Sequence, residues 1–172
     1  MLNYWWVTRP KRKLDSVPEI LSTIAENALD QEWKGERDTH LVFEEALENA
    51  GLKREGERRD QTGGGGRTYM AWIKSLGLVF RQENTGKIKL TLAGEAIMNG
   101  DSPVLVLTEQ VLKYQFPSAF SVSRGVNVAE RFKIRPFRYL LRLISDSRVN
   151  YITQDELAKI VITEAENETE KC

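Results

Sequence analysis

Lysine and arginine side chains form three clusters in this sequence, although its formal net charge is zero. The acids are concentrated after Asn150, where six acids and two bases give a charge of −4 and leave +4 for the first 149 residues. Clustered cations on a near-neutral chain predict a local anionic partner such as a phosphate, while solvated faces would produce the same pattern. The clusters are Arg9, Lys11, Arg12 and Lys13; Lys53, Arg54, Arg58, Arg59 and Arg67; and Arg131, Lys133, Arg135, Arg138 and Arg142.

Four consecutive glycines, Gly63, Gly64, Gly65 and Gly66, precede Arg67. Glycine does not continue a helix cheaply, and exposed backbone N–H groups at the start of a helix can bind a phosphate. We therefore expect either a backbone contact with phosphate or a flexible linker here. The run lacks the Lys-Ser/Thr ending of a nucleotide-binding P-loop, which argues against a nucleotide site.

Residues that could carry catalysis are sparse. The residues most similar to a metal-dependent nuclease motif are Asp30 and Glu32-Trp33-Lys34. They fall at a helix end, where a structural or capping role is expected. His40 is the only histidine and is predicted to be a surface or packing residue. The chain by itself is therefore expected not to be an enzyme and to hold no cofactor. Trp5-Trp6 is expected to pack in a core rather than to stack on bases.

The predicted location is cytoplasmic. The single cysteine, Cys172, excludes a disulfide within one chain and fits a reducing compartment. The N-terminus does not resemble a signal peptide, and no apolar run of about 18 residues is present, so no membrane partner is expected.

Three helices are predicted in the first part of the chain: one opening at Pro18, one over residues 38–50, and one over residues 67–76. In the third, the positions with core spacing are Tyr69, Trp72, Ile73 and Leu76. The positions expected on the opposite, exposed face are Arg67, Met70, Ala71 and Lys74.

A β-hairpin follows the third helix. Residues 78–80 read as a strand, 84–86 as a turn, and 87–92 alternate polar and apolar as a half-buried strand does. A short helix over 93–99 closes the unit. Three helices followed by a hairpin is the order of a winged helix-turn-helix, in which Lys87 and Lys89 on the wing would contact phosphates.

The second half is predicted to be mainly helical. Helices are expected over 103–114 and 136–145, the latter with Phe137, Leu140, Leu141 and Ile144 inward, and a third begins at Thr153 with a capping box to Glu156. The predicted fold is thus mainly α with a small β-hairpin. Residues 1–100 would form the winged-helix subdomain with an N-terminal arm, 101–163 a helical subdomain that a second winged-helix-like unit would also fit, and 164–172 a disordered acidic tail.

A series of short motifs resembles a known family in order and spacing. The Lys-Tyr-Gln-Phe-Pro-Ser element at 113–118 and the Thr-Leu-Ala-Gly element at 91–94 are its more specific parts, whereas Leu-Gly-Leu-Val at 76–79 is common to many winged helices. From about Tyr4 to Val161 the series resembles the N-terminal region of the AlwI-type restriction endonucleases, which include type IIS cutters and related nicking enzymes. Its other members are Glu32-Trp33-Lys34-Gly35, Arg67-Thr68-Tyr69-Met70 and Ile134-Arg135-Pro136-Phe137.

The resemblance implies a module of a restriction-modification system that recognises a short asymmetric site in double-stranded DNA. In the family a separate C-terminal nuclease domain cuts with magnesium, so the expected partners are DNA and a nuclease domain or subunit. A stand-alone winged-helix transcriptional regulator and a protein–protein interaction module remain alternatives. The expected DNA-binding residues are Arg58, Arg59, Gly63, Gly64, Gly65, Gly66, Arg67, Thr68, Met70, Ala71, Lys74, Lys87 and Lys89.

Overall fold

The computed structural model describes residues 3–7, 13–54, 61–118, 121 and 127–166. The chain is mainly helical with a small antiparallel hairpin, as the sequence predicts. The elements of the first half are α1 (Val17–Asn27), α2 (Arg37–Asn49), α3 (Gly64–Ser75), β1 (Val79–Arg81), β2 (Ile88–Leu90) and α4 (Leu92–Met98). Those of the second half are α5 (Pro103–Lys113), α6 (Pro136–Ile144) and α7, which comprises Gln154–Glu156, a π-helical turn Leu157–Val161 and Ile162–Glu164.

Local capping chemistry sets several helix ends. Thr91 accepts a hydrogen bond from the backbone N–H of Gly94 at 3.2 Å and begins α4. The capping box predicted for Thr153 and Glu156 is confirmed, with each side chain accepting from the other residue's backbone N–H. Gly63 precedes α3 in the left-handed conformation, at φ +69°, which a residue with a Cβ adopts only with strain.

Residues 29–33 make backbone contacts with the hairpin that the sequence does not predict. The backbone N–H of Asp30 donates to Ile88 at 2.9 Å, and that of Trp33 donates to Gly86 at 3.2 Å. Isolated bridges at Leu29 and Glu32 complete the contact with β2 and its turn. The sheet itself has two strands, and residues 29–33 bridge to β2 and its turn without forming a third strand. The segment is too short to show a periodic pattern, so the sequence carries no signal for this pairing.

Two apolar clusters form the core. The first is built by α1, α2, α3 and the hairpin, and α5 adds Leu107 to it. The second contains Phe116, Phe132 and Ile134 and also the N-terminal Trp5, which is 3% exposed. Packing of Trp5 is thus confirmed, and the two clusters do not follow the predicted boundary at residue 100.

The apolar stripe of α6 is wider than the surfaces that cover it. Tyr139 is buried in the second cluster and Phe137 packs edge-on against Tyr114, with ring centroids 5.7 Å apart. Leu141 and Ile144 were predicted to face inward, but they are 51% and 56% exposed. Because α6 lies between the two clusters, each covers only one edge of its stripe.

Residues 164–166 were predicted to open a disordered acidic tail, but they are part of the packed structure. Ala165 is buried in the second cluster, and Glu166 binds Arg131 at 2.7 Å. Residues 167–172 lie outside the described part of the chain. None of the helices that the structure describes has the length and apolarity needed to cross a bilayer.

Candidate functional site

The glycine run is a close crossing between α2 and α3. A Cβ on Gly66 would lie 2.6 Å from the backbone oxygen of His40, and one on Gly63 would collide with the His40 side chain. The backbone N–H of Gly66 already donates to the Glu44 carboxylate at 3.2 Å. A flexible linker is therefore excluded, because Gly64, Gly65 and Gly66 form the first turn of α3. Gly63 and Gly66 are buried against α2, and Gly65 is half-exposed. Gly64 is half-exposed at the start of α3.

Lys53, a member of the second basic cluster, is neutralised inside the protein. Its ammonium lies 2.9 Å from Glu44, which is 4% exposed, and 2.6 Å from Glu48. Burial alone would lower the pKa of Lys53, but the hydrogen bonds to both carboxylates outweigh it and raise that pKa. Lys53 thus ties α2 to the loop before α3, and it is not a cation available to a ligand.

Arg67 is exposed at the N-terminal end of α3, and one end of its guanidinium is held by the protein. Nη1 donates to the Thr62 carbonyl, and Nη2 donates to the Thr62 hydroxyl at 3.2 Å. Nη1 also lies 3.5 Å from Nδ1 of His40. The Nε–H has no acceptor among the described residues, so the outer edge of the guanidinium can still bind a ligand.

The outer face of α3 differs from the prediction at one position. Thr68, Ala71 and Lys74 are half-exposed, as a ligand-facing side would require. Met70 was expected beside them, but its side chain is fully buried at 0% exposure. Because α3 packs against α1, α2 and β1, its buried surface is wider than the four-residue stripe that spacing predicted. Met70 is therefore a core residue.

Lys74 and Arg81 form a pair of neighbouring cations. Lys74 is half-buried where α3 meets β1, and both burial and the charge of Arg81 lower its pKa. Neither side chain has an acidic partner in the described part of the chain. Two neighbouring cations without acidic partners favour the binding of an anion that contacts both. Arg81 is not among the residues predicted from the sequence to bind DNA. It stands two residues after the buried Val79, and this spacing places both side chains on the same face of β1.

The two lysines of the hairpin have different surroundings. The ammonium of Lys89 binds the Asp30 carboxylate, so its charge is already compensated. Lys87 is half-exposed, and its side chain has no acidic partner among the described residues. Of these two lysines, only Lys87 therefore offers an uncompensated positive charge to an anionic ligand. Arg58 and Arg59 lie outside the described residues, as do Arg9, Lys11 and Arg12.

The third basic cluster is engaged within the fold. Arg131 binds Glu166 at 2.7 Å, and its guanidinium lies 4.8 Å from the centre of the Phe132 ring. Arg135, Arg138 and Arg142 also make polar or electrostatic interactions. This cluster adds less free positive charge than its composition suggests.

Two open cavities lie away from α3. A groove of about 660 Å³ runs between the start of α1, α5 and α6 and is lined mainly by apolar side chains such as Leu107 and Leu141. A second, of about 520 Å³, lies beside α7 and includes Tyr139 and Glu156. Within the ranges that the structure describes, no three His, Cys, Asp or Glu side chains are grouped as a metal site requires.

No protein-family model matches this sequence, and no curated protein is significantly similar to it. Its function therefore has to be inferred from its residues and their geometry.

Proposed function

We propose that this chain is a double-stranded DNA recognition module built on a winged helix-turn-helix. The single observation that carries the proposal is the uncompensated pair Lys74 and Arg81 beside the exposed face of α3. The topology supports it, because the β1–β2 hairpin, with residues 29–33 bridged to β2, lies next to three helices. That arrangement of elements is the one winged helices use to place a helix in the major groove and a hairpin beside it.

In this proposal α3 enters the major groove by its outer face. Thr68 and Ala71 are small, so the helix can approach the base edges closely, and Arg67 stands at the N-terminal end, where recognition helices usually meet bases. Lys74 and Arg81 bind one stretch of phosphates, and Lys87 on the hairpin binds another. Met70, Lys53 and the buried glycines support α3 from behind rather than touching DNA.

We further propose that the module belongs to a restriction or nicking system, on the resemblance of its motifs to the AlwI-type endonucleases. It reads a short asymmetric site, and a nuclease domain or subunit that uses magnesium supplies cleavage. Selection of bound duplexes from a random library tests this reading. A palindromic site bound by two chains would instead favour a stand-alone transcriptional regulator.

Binding should depend steeply on salt and should not be accompanied by cutting. Roughly four to six phosphate contacts predict a plot of log affinity against log salt with a slope of about −4 to −5. Fluorescence anisotropy with a labelled duplex measures this slope. A flat salt dependence would refute phosphate binding.

Supercoiled plasmid incubated with the chain and magnesium should stay intact. Nicking that a chelator abolishes would refute the absence of a catalytic site.

Replacing Lys74 by methionine should weaken DNA binding and also stabilise the free protein. The pKa of Lys74 is lowered, so folding disfavours its charged form relative to the unfolded chain. Removing that charge takes away an unfavourable contribution, and a thioether suits the half-buried site. We expect the urea midpoint to rise and the salt slope to become less steep by about 0.9, which is the contribution of one phosphate contact.

Lys159→Met is the matched control for this substitution. Lys159 lies on α7 and binds Asp155 at 2.7 Å, and its side chain is 71% exposed. Its removal should leave the salt slope and the site preference unchanged. If Lys74→Met keeps the parental slope, Lys74 does not bind phosphate and the proposed docking of α3 is wrong.

A further inference from the structure

His40 lies between the loop before α2 and the arginine at the start of α3. Its Nε2 is 2.7 Å from the carbonyl oxygen of Trp33, which can only accept a hydrogen bond. Nε2 therefore carries the proton, and in the neutral ring Nδ1 is left as an acceptor. That acceptor is 3.5 Å from Nη1 of Arg67. The hydrogen bond to Trp33 thus fixes the tautomer in which the lone pair of Nδ1 faces the Arg67 guanidinium.

The place of the ring is set by packing as well as by this hydrogen bond. His40 is 5% exposed, and its ring lies 4.4 Å from that of Trp33. The absence of side chains at Gly63 and Gly66 lets the start of α3 sit directly on the His40 backbone. A movement of the ring would therefore be felt at Arg67 rather than being absorbed by a flexible loop.

The charged groups around His40 act in opposite directions. Burial comes first and lowers the pKa of His40, the Trp33 carbonyl raises it, the positive charge of Arg67 lowers it, and Glu36 raises it; the net shift is downward. Glu44, one turn further along α2, is already paired with Lys53 and with the Gly66 N–H. His40 is therefore neutral at neutral pH.

We propose that neutral His40 is a positioning residue that aims Arg67 at DNA, an inference that rests on the proposed function. Nδ1 and Thr62 together hold one end of the guanidinium, which leaves the edge bearing Nε–H free to meet a base or a phosphate. Protonation of Nδ1 replaces the acceptor by a donor next to a cation. The Arg67 side chain then loses this anchor, and DNA binding weakens in mild acid.

The stability of the free protein should follow the same titration. Because the pKa of His40 in the folded protein is below the ordinary value of 6.5, the unfolded chain binds the proton more readily. The contribution of neutral His40 to the free energy of unfolding is therefore complete above pH 6.5 and is lost as the pH falls below that value. Since the chain has one histidine, few other side chains titrate between about pH 5.5 and 7.5.

Two substitutions separate the two bonds of the ring. His40→Asn keeps an acceptor near the place of Nδ1 but loses the donor to Trp33, whereas His40→Gln keeps that donor and loses the acceptor for Arg67. Neither residue titrates. We would measure duplex affinity at pH 5.5 and 7.5 for the parent, both variants and Arg67→Ala, with thermal melting of each protein as a check on folding.

We expect the parent to lose about three- to tenfold in affinity on acidification beyond the change that both variants show, the equivalent of one hydrogen bond. At pH 7.5 His40→Asn should bind better than His40→Gln, although it lacks the bond to Trp33. In Arg67→Ala the extra acid-sensitivity should vanish. Equal affinities of the two variants, or unchanged acid-sensitivity in Arg67→Ala, would overturn the inference while leaving DNA binding itself intact.

A measurement without DNA keeps the two proposals distinct. Nitrogen-15 NMR of the single imidazole should show the proton on Nε2, and removal of the neighbouring cation in Arg67→Ala should raise the titration midpoint of His40. An unchanged midpoint would show that the two side chains are not coupled. If the midpoint rises but no duplex binds at any pH, the contact stands and the proposed function fails.

Discussion

Gly66→Ala should destabilise the protein by at least about 2 kcal/mol, whereas the same replacement inside an ordinary helix stabilises it by about 1 kcal/mol. The sign reverses because the new Cβ would lie 2.6 Å from the backbone oxygen of His40. That oxygen belongs to a packed helix and cannot move aside as the end of a flexible side chain can. The two helices would have to separate, which would also shift Arg67 and Lys74.

Urea denaturation of the purified variant measures this effect, and Gly65→Ala is its control in the same helix. A Cβ at Gly65 would meet the ends of the Glu44 and Lys53 side chains, which can rotate or extend. Its loss of stability should therefore be smaller than that of Gly66→Ala. Equal stability of Gly66→Ala and the parent would mean that α2 and α3 are further apart than described.

Trp72→Ala should destabilise the protein by roughly 3–5 kcal/mol and so lower its melting temperature by about 6–20 °C. Trp72 is 1% exposed in the first core cluster, and its ring packs edge-on against Tyr69 at 6.5 Å. Removing the indole leaves a cavity beneath the outer face of α3, so the proposed DNA binding should fall together with stability.

Tyr151→Ala provides the comparison for Trp72→Ala, because Tyr151 is 77% exposed. Its removal should change the free energy of unfolding by less than about 0.5 kcal/mol. Calorimetry or circular dichroism on heating measures both variants. A Trp72→Ala variant that melted within a degree or two of the parent would show that α3 is not seated on this core.

Most secondary structure could be predicted because its signals are local. The helix predicted over 103–114 is observed as Pro103–Lys113, and Pro103 stands at its start as expected. The capping box of Thr153 and Glu156 needs only residues three apart. The core side of α3 was also predictable, since Tyr69 and Trp72 recur at helical spacing and are both buried.

The candidate site was only partly predictable. Spacing placed Arg67, Ala71 and Lys74 on the outer side of α3, where the structure has them exposed or half-exposed. The same spacing put Met70 there, but α3 packs on three neighbours and its buried face is wide enough to include Met70. Periodicity gives the direction of a buried face; its width depends on how many elements pack against it.

Charge clusters in the sequence were a poor measure of available charge. Lys53 and Arg131 belong to two of these clusters, yet both are paired with carboxylates. Lys53 binds Glu44 on the preceding helix, and Arg131 binds Glu166, which is distant in the sequence. Lys74 and Arg81 belong to none of the three clusters and are seven positions apart in the sequence. In the fold, however, they lie close enough for Arg81 to lower the pKa of Lys74. Folding decides which cations are compensated, because it brings distant acids to some and none to others.

The sequence by itself determined most of the helices, the hairpin and the capping box of Thr153 and Glu156, because each depends on contacts among residues a few positions apart. Only the tertiary structure decided that the glycines are a helix crossing, that residues 29–33 pair with β2, and that His40 faces Arg67. Each of these depends on the distance and angle between two packed elements. That distance is set by every side chain in the interface at once, and no local pattern encodes it.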